Sequence, residues 1–310
     1  DVSLVVTTRQ EDRALLRKAD LAMLRPLRVI NLTSSLTRYT AGLQLQDSIA
    51  EERKSGLVGD TLLLLQHYPV YTLGKRGSDV DFKKPKEELE ASGVEICVVP
   101  RGGEVTFHGP GQLVAYPILG VRQAGLGART YVEGLEDSLI DCLAKYGIAA
   151  RGRVPGATGV WVGERKIAAI GVRISHGISS HGLALNINTD LSYFDNIIPC
   201  GIRDKEVTSI ARELLRRRTP QPTRGSDSAP DSNLRLYQDQ NPLSLQPQPQ
   251  QQQLEQDRLQ SWVDSGAGAV GCPNIVTAIS LSVPEFGTVV GELVESFSRR
   301  LGFRPEEVRC

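Results

Sequence analysis

Apolar residues recur every three to four positions in three stretches of the chain, which is the spacing that places them on one face of an α-helix. The clearest stretch follows Thr130, which forms a capping box with Glu133, and it ends before Gly147. Its apolar face consists of Val132, Leu135, Leu139, Leu143 and Tyr146. The pattern predicts a helix that covers one side of a sheet.

Two further stretches predict helices near the C-terminus and near residue 50. Ser282, Pro284 and Glu285 are typical of a helix start, and an apolar stripe continues from there to Gly302. The stripe consists of Phe286, Val289, Val290, Leu293, Val294, Phe297 and Leu301. A weaker stripe, with Gly56 as its predicted end, consists of Leu43, Gln46, Ile49 and Ala50.

Short apolar segments predict strands at residues 61–65, 94–99, 113–118, 159–162, 166–174 and 182–187. Gly163, Glu164 and Arg165 separate two of these segments and predict a hairpin turn, which places Lys166 at the start of the returning strand. The strands do not alternate regularly with helices. We therefore expect an α+β fold, a mixed or antiparallel sheet with flanking helices.

The composition changes after residue 218. Residues 219–271 are rich in Pro, Gln, Ser and Asp, and such a segment buries too little apolar surface to offset its ordering entropy. We expect a disordered insertion in one domain formed by residues 27–218 and 272–310; the alternative is a folded but polar domain. Residues 1–26 contain several arginines but also Glu11, Asp12 and Asp20, and they are expected to be an extra arm or the remnant of a leader.

Charge and cysteine content narrow the choice of function. Lysine plus arginine equal aspartate plus glutamate at 36 each, so the overall charge does not favour a nucleic-acid or membrane-surface partner. No apolar run approaches the ~18 residues of a transmembrane helix. The five cysteines lack a CxxC or zinc-finger spacing, which favours free thiols in a reducing compartment.

Residues 101–112, RGGEVTFHGPGQ, combine four glycines and a proline with Arg101 and His108 directly after a predicted strand. A loop of this kind lets the backbone approach a ligand closely. The alternative is a pair of tight turns with a hydrogen-bonded, purely structural histidine. The segment lacks the dinucleotide GxGxxG spacing and the GK[ST] ending of a phosphate loop, so nucleotide binding is not predicted.

Cys200 is the candidate nucleophile because it lies between proline and glycine in residues 198–202, IPCGI. Cys97 and Cys142 lie among apolar residues and are interpreted as buried thiols. A nucleophilic cysteine needs a neighbour that favours the thiolate, because the ordinary thiol pKa of about 8.5 leaves little thiolate at neutral pH. No local Cys–His signature surrounds Cys200, and an ordinary loop cysteine is the alternative.

Lys166 is the candidate cationic partner of that thiol. It opens the apolar run KIAAIGV, where a lysine that only contacts solvent would be unusual. A half-desolvated lysine loses its proton more easily and can act as a base. The alternative is a strand-end lysine whose amine extends into solvent.

Four blocks in the same order resemble the lipoyl(octanoyl) transferase family, also called octanoyl-carrier-protein:protein octanoyltransferases. They are residues 101–112, residues 159–173 (GVWVGERKIAAIGVR), residues 181–188 (HGLALNIN), and residues 199–201 (PCG) followed by 206–209 (EVTS). The resemblance covers about residues 27–212 and, more loosely, the last helix. It implies the mixed-sheet fold that this family shares with biotin and lipoate protein ligases. The insertion and the N-terminal arm depart from the family pattern.

The resemblance implies that octanoyl is transferred through a thioester on Cys200, while Lys166 lowers the pKa of the thiol and moves the proton. It also implies a tunnel for the acyl chain, in which Ile170 and Leu183 offer apolar wall. The residues expected to line this tunnel are Arg101, Gly102, Gly103, Glu104, Val105, Thr106, Phe107, His108, Ala169, Ile170, Gly171, Gly182, Leu183 and Ala184.

The implied donor is octanoyl-acyl carrier protein, which carries the acyl group on phosphopantetheine. The implied acceptors are apo lipoyl domains of 2-oxoacid dehydrogenases and the glycine cleavage H protein. No cofactor, metal, nucleic acid or membrane partner is expected. The Gln-rich insertion is typical of a eukaryotic chain, for which the resemblance implies a mitochondrial location; otherwise the location is cytoplasmic.

Two alternative functions stay open at this point. An ATP-dependent lipoate or biotin protein ligase has the same fold but needs no nucleophilic cysteine, so the PCG block argues against it. A non-catalytic module that binds lipoyl domains or carrier proteins would not need both Lys166 and Cys200. An assay with octanoyl carrier protein and an apo lipoyl domain, with and without ATP, separates the three.

Overall fold

The computed structural model of the chain describes residues 24–198, 206–218 and 283–308. The strands of these ranges are β1 (Arg25–Thr37), β2 (Thr61–His67), β3 (Val70–Leu73), β4 (Glu95–Val98), β5 (Val105–His108), β6 (Gln112–Ile118), β7 (Gly159–Val162), β8 (Arg165–Ser175), β9 (Ile178–Asn186), β10 (Glu206–Val207) and β11 (Phe303–Glu307). The α-helices are α1 (Tyr39–Lys54), α2 (Lys86–Ala91), α3 (Ala128–Lys145), α4 (Ile210–Arg218) and α5 (Phe286–Leu301). None of these helices is long and apolar enough to cross a membrane.

A mixed sheet of eight strands forms the centre of the fold. Its order is β10-β8-β9-β6-β2-β1-β11, and β7 pairs with β8 beside this path. β1 runs parallel to β2 and β11, and β10 runs parallel to β8, whereas the other neighbours are antiparallel. A small sheet has the order β4-β3-β5. The expected α+β fold with a mixed sheet is therefore confirmed.

Both faces of the large sheet are covered by helices. In β2, Leu62 and Leu64 belong to the apolar layer formed with α3 and α5, whereas Leu63 and Leu65 belong to the layer formed with α1. All four leucines are buried. A continuous apolar run in a strand is the expected consequence of a sheet that is covered on both sides.

The three predicted helices are confirmed as α1, α3 and α5. α5 ends at Gly302, which has a left-handed backbone with φ 74°; Ser282, at its predicted start, lies outside the described residues. α3 begins at Ala128, before the predicted cap Thr130. The Thr130 hydroxyl accepts the N–H of Gly127 at 3.0 Å, so it stabilises the first turn from inside the helix.

Five strands correct the predictions from sequence, because β1, β3, β5, β10 and β11 were not among the predicted strands. Residues 101–112 were expected to form a loop throughout, yet Val105–His108 forms β5 and pairs with β3, because valine, threonine and phenylalanine favour extended backbone. β1 was not predicted, and it begins at Arg25, within the segment expected to be an arm. Residues 219–271, the predicted insertion, lie outside the described residues.

Candidate active site

A cavity of about 230 Å³ lies between the small sheet and the large sheet. β5 contributes to one side of its wall, and β6, β8 and β9 contribute to the other. The predicted tunnel residues that line it are Arg101, Gly102, Gly103, Glu104, Val105, Thr106, His108, Ala169, Ile170, Gly171, Gly182, Leu183 and Ala184. The fold therefore brings three separate blocks of the sequence together around one cavity.

Phe107 is the predicted tunnel residue that does not line the cavity. Its ring stacks on Tyr193, with 4.4 Å between the ring centroids, and lies edge-on to Phe194. Successive side chains of a strand point to opposite faces. Thr106 and His108 line the cavity, so Phe107 between them belongs to the apolar core beneath the small sheet.

Small residues in register on β8 and β9 leave space for the cavity. Ala169 is opposite Ala184, and Gly171 is opposite Gly182. A methyl group on Gly171 would lie 2.8 Å from the carbonyl oxygen of Gly102. The N–H of Gly102 donates to a carbonyl oxygen of β8 at 3.2 Å, so the pair Gly102 and Gly103, called here the glycine block, lies directly against this strand.

The buried side chain of Arg101 fixes the position of the glycine block through hydrogen bonds. Its guanidinium donates to the carbonyl and hydroxyl oxygens of Thr72, both at 2.7 Å, and to the carbonyl oxygen of Gly102 at 2.9 Å. The residue is 7% exposed. A fixed positive charge therefore lies at the wall of the cavity.

Lys166 lines the same cavity and is only 6% exposed. In the sheet it lies between Trp161 of β7 and Val207 of β10. Its Nζ is 5.1 Å from the centroid of the Trp161 ring. This burial is inconsistent with the alternative of a strand-end lysine that extends into solvent.

Cys200, the predicted nucleophile, lies outside the described residues. Phe194 precedes it in the chain and Val207 follows it, and both line a small second cavity together with Lys166. The described chain on each side of Cys200 is therefore close to this lysine.

A directional chain of hydrogen bonds links the small sheet to the large sheet. Oε1 of Gln112 can only accept, so Nδ1 of His108 donates to it at 2.7 Å, and Nε2 of His108 accepts from the Thr72 hydroxyl at 3.3 Å. Nε2 of Gln112 then donates to Oδ1 of Asn186 at 2.9 Å. These partners assign the neutral tautomer of His108 with its proton on Nδ1.

Three buried histidines lie at or next to the cavity. Burial lowers the pKa of His67 and His181 to about 4 and that of His108 to about 3, and the Arg101 guanidinium contributes to the low pKa of His108 and His181. All three imidazoles are therefore neutral at physiological pH. Neutral imidazoles are common metal ligands, but no group of three or more His, Cys, Asp or Glu side chains in the described ranges is placed to hold a metal ion.

Tyr39, Tyr116 and His181 line the cavity but were not predicted from sequence. His181 directly precedes the predicted block 182–184, so its adjacency was the available signal. Tyr39 and Tyr116 belong to α1 and β6, which carry no motif. Only the packing of these elements brings the two tyrosines to the site.

Comparison with known sequences identifies similar proteins. The sequence profile of the lipoyl protein ligase A/B catalytic domain matches residues 38–223. The chain is 55% identical over 175 residues to Octanoyltransferase LIP2, mitochondrial, of Arabidopsis thaliana, which covers 56% of this chain and 74% of the relative. It is 51% identical over 173 residues to an octanoyltransferase of Solibacter usitatus, which covers 56% of this chain and 78% of the relative.

Two solved structures of low sequence identity have a similar fold. Protein Ta0514 of T. acidophilum has a TM-score of 0.52 at 12% identity, over 93% of this chain and 90% of that one. A lipoate-protein ligase A bound with ATP has a TM-score of 0.51 at 12% identity, over 93% of this chain and 90% of that one. The mixed sheet with flanking helices is common to all three.

Proposed function

Since the chain belongs to the lipoyl protein ligase A/B catalytic domain family, we propose that it is an octanoyltransferase that moves octanoyl from a carrier protein to a lysine of a lipoyl domain. Relatives that carry the name octanoyltransferase are 55% and 51% identical to it over most of their own length. The enzyme is thus an acyltransferase of lipoate biosynthesis. Its reacting groups are Cys200 and Lys166.

The observation that carries this proposal is the cavity beside Lys166. Ala169, Gly171 and Ala184 leave space within it, and Ile170 and Leu183 contribute apolar surface. A partly apolar cavity lined by small residues suits an unbranched acyl chain. A buried amine at its wall suits a reaction in which a thiolate is stabilised and a proton is moved.

The proposed reaction has two acyl transfers. In the first, Lys166 holds the proton of the Cys200 thiol, and the thiolate attacks the carbonyl carbon of the donor thioester; a new C–S bond forms and the old C–S bond breaks. The phosphopantetheine sulfur leaves and takes up the proton of the Lys166 ammonium, which makes the amine neutral. In the second, the amine of the target lysine attacks the same carbon, an amide forms and the Cys200 sulfur leaves. Lys166 in its neutral form takes the proton that the attacking amine loses. Amide formation makes the second step favourable.

The proposed partners follow from this chemistry. The donor is octanoyl-acyl carrier protein, and the acceptors are apo lipoyl domains of 2-oxoacid dehydrogenases and of the glycine cleavage H protein. A mitochondrial location is proposed because the Arabidopsis thaliana relative is named a mitochondrial octanoyltransferase.

Mass spectrometry of the acyl-enzyme tests the proposal. After incubation with octanoyl-acyl carrier protein, the peptide that contains Cys200 should gain one octanoyl group. Addition of an apo lipoyl domain should then remove this group and transfer it to the domain. Neither step should require ATP.

Two cysteine variants control this experiment. Cys200→Ser should not accumulate an adduct that neutral hydroxylamine removes, whereas Cys97→Ser, which alters a free thiol of β4, should accumulate it like the unmodified enzyme. A hydroxylamine-labile adduct on Cys200→Ser would contradict the assignment of the nucleophile. A strict requirement for ATP would support the ligase alternative instead.

A further inference from the structure

Glu136 of α3 is a buried carboxylate that the proposed reaction does not use. It is 2% exposed, and two backbone N–H groups donate to it: that of Arg153 to Oε2 at 2.9 Å and that of Gly159 to Oε1 at 3.2 Å. In the described part of the chain no cationic side chain pairs with Glu136; the Arg153 guanidinium pairs with Asp137 instead, at 2.8 Å. A carboxylate that is buried without a cation costs folding free energy. What this carboxylate stabilises is the backbone that carries the two N–H groups.

Residues 152–159, called here the anchored segment, fit closely around the Glu136 carboxylate. A methyl group on Gly152 would lie 2.8 Å from Oε2 and 2.9 Å from Cβ of Glu136, so a larger residue does not fit there without displacing the carboxylate. Arg153 has φ 55°, a left-handed conformation that is uncommon for a residue other than glycine. The hydrogen bonds to Glu136 therefore hold the segment in a strained conformation, which is an observation that points to function.

The anchored segment forms part of the cavity wall and contacts the surroundings of Lys166. Residues 156–158 line the cavity. The carbonyl oxygen of Ala157 accepts the N–H of the Trp161 ring at 2.9 Å, and this ring lies beside the Lys166 amine. Gly159, at the end of the segment, is so close to the lysine that an added methyl group would overlap its Cε. The position of the amine therefore depends on the position of the segment.

We propose that Glu136 is a positioning residue for acyl transfer, which acts on Lys166 through Gly159; this inference rests on the proposed function. The carboxylate accepts both N–H groups and so fixes the anchored segment, and the segment fixes the amine at the cavity wall. Without this anchor the amine occupies several positions, and fewer of them suit transfer of the proton. Glu136 lies behind the segment and is not among the described residues that line the cavity, so it acts without contacting the substrate.

Discharge of the octanoyl-enzyme by an apo lipoyl domain tests the proposal. The rate constant is obtained from the time course, so it does not depend on the fraction of folded enzyme. Glu136→Gln keeps the size of the side chain, but an amide has a single acceptor oxygen, so one backbone N–H faces a donor. The saturating rate constant should fall roughly tenfold, whereas the concentration of lipoyl domain at half-saturation should stay within about twofold.

Asp137→Asn is the matched control. It removes the neighbouring carboxylate and its ion pair with Arg153 of the same segment, but it leaves both hydrogen bonds of Glu136 in place. Its rate constant should stay within about twofold of that of the unmodified enzyme. An equal loss in Asp137→Asn and Glu136→Gln would mean that any weakening of the segment slows discharge, and the specific role of Glu136 would be refuted.

A double variant separates positioning through Gly159 from a general loss of structure. Gly159→Ala already displaces the amine, so the addition of Glu136→Gln should slow discharge by less than about twofold more. Two effects that multiply in the double variant would overturn the inference, as would an unchanged rate constant in Glu136→Gln.

Gly152→Ala replaces Glu136→Gln if the latter does not fold, because its methyl group presses on the same carboxylate. It should also slow discharge, and an unchanged rate constant would again overturn the inference. Absence of an octanoyl-enzyme in the unmodified protein would be a different result, which refutes the proposed function and not the role of Glu136 alone.

Discussion

The amine of Lys166 lies at the cavity because Gly159, on the adjacent strand, has no side chain. Gly159 has φ 130°, and a methyl group there would lie 2.8 Å from Cε of Lys166 and 2.5 Å from the carbonyl oxygen of Ala168. Both distances are shorter than van der Waals contact, and the oxygen belongs to the backbone. Gly159 is therefore a positioning residue for the lysine.

Gly159→Ala is expected to slow octanoyl transfer at least about tenfold, because the methyl group displaces the Lys166 side chain, and to lower the free energy of unfolding by about 1–3 kcal/mol. Gly163→Ala is the matched control. Gly163 lies in the turn of the same hairpin with φ 56°, and the nearest atom to an added methyl is Nη1 of Arg165 at 3.8 Å. This control carries the strain of a left-handed backbone without a close contact, so it should lose less stability than Gly159→Ala and keep its transfer rate. An equal loss of octanoyl transfer in both variants would show that the backbone of the hairpin, and not the contact of Gly159 with Lys166, determines the transfer rate.

Lys166 itself is predicted to act in both acyl transfers. Arginine keeps the positive charge but does not release its proton at working pH, so Lys166→Arg should form some acyl-enzyme and discharge it slowly. Lys166→Ala should impair both steps. The pH dependence of alkylation at Cys200 is the measurement: the thiol pKa should be higher in Lys166→Ala than in the unmodified enzyme. An identical thiol pKa in the two proteins would remove Lys166 from the mechanism.

At the scale of residues, the sequence pointed to those parts of the cavity wall that consist of residues adjacent in the chain. Arg101 and His108 were recognised because four glycines surround them in one segment. Tyr116 could not be recognised, since its place at the cavity depends on the pairing of β6 with β9. Phe107 was assigned to the tunnel because the resemblance implied the whole block 101–108, whereas the alternation of faces along β5 places its ring in the core.

At the scale of elements, polar side chains join the two sheets. His108 of β5 is hydrogen bonded to Gln112 of β6, which is hydrogen bonded to Asn186 of β9. The connection requires neutral His108, because a protonated imidazole has no acceptor for the Thr72 hydroxyl. Stability of this contact between the sheets is therefore linked to pH.

We expect the free energy of unfolding to fall between about pH 6.5 and about pH 4. The pKa values of His67 and His181 are about 4 and that of His108 is about 3 in the folded protein, below the ~6.5 of an unfolded chain. Unfolding therefore takes up protons in this window, and each histidine lowers stability by up to ~1.4 kcal/mol per pH unit as the pH falls. Above pH 7 both states are neutral, so the three groups add no pH dependence there.

Urea unfolding of His67→Gln from pH 7.5 to 4.5 measures this contribution. Glutamine also has a donor and an acceptor but does not titrate. Below pH 6.5 the free energy of unfolding of the variant should therefore change with pH less steeply, by roughly 1 kcal/mol per pH unit. The same substitution at the exposed His176 is the control and should leave the slope unchanged. A slope that His67→Gln does not alter would assign the acid sensitivity to other groups.

Elements with their own periodic pattern were predictable, whereas those defined by their neighbours were not. α5 was predicted almost to the residue, because its apolar stripe and Gly302 are local signals. β1 has exposed and buried positions without strict alternation, and its register with β2 shifts between Asn31 and Leu36. A strand that is stabilised by pairing with β2 and β11 leaves little signal in its own sequence.

At the scale of the whole molecule, the C-terminal segment completes the large sheet. β11 pairs in parallel with β1, from Arg25 opposite Phe303 to Val29 opposite Glu307. α5 adds Leu293 and Phe297 to the core beside α3. The sequence predicted that structure resumes after the segment interpreted as an insertion, but the choice of β1 as partner depends on packing between residues that are nearly 280 positions apart.

Deletion of residues 221–261 is expected to leave octanoyl transfer within about twofold, since a segment without apolar periodicity contributes little to packing. About 23 residues would then connect α4 to the chain before α5, enough to span roughly 75 Å when extended, which exceeds the width of a domain of this size. The deletion should therefore not prevent β11 from reaching β1. Limited proteolysis of the full chain should cut first within residues 219–271.

Truncation after residue 282 is the matched control: it removes the buried side chains of α5 and the strand β11, so it should abolish folding. Loss of folding in the internal deletion would mean that residues 221–261 are a structural part of the domain.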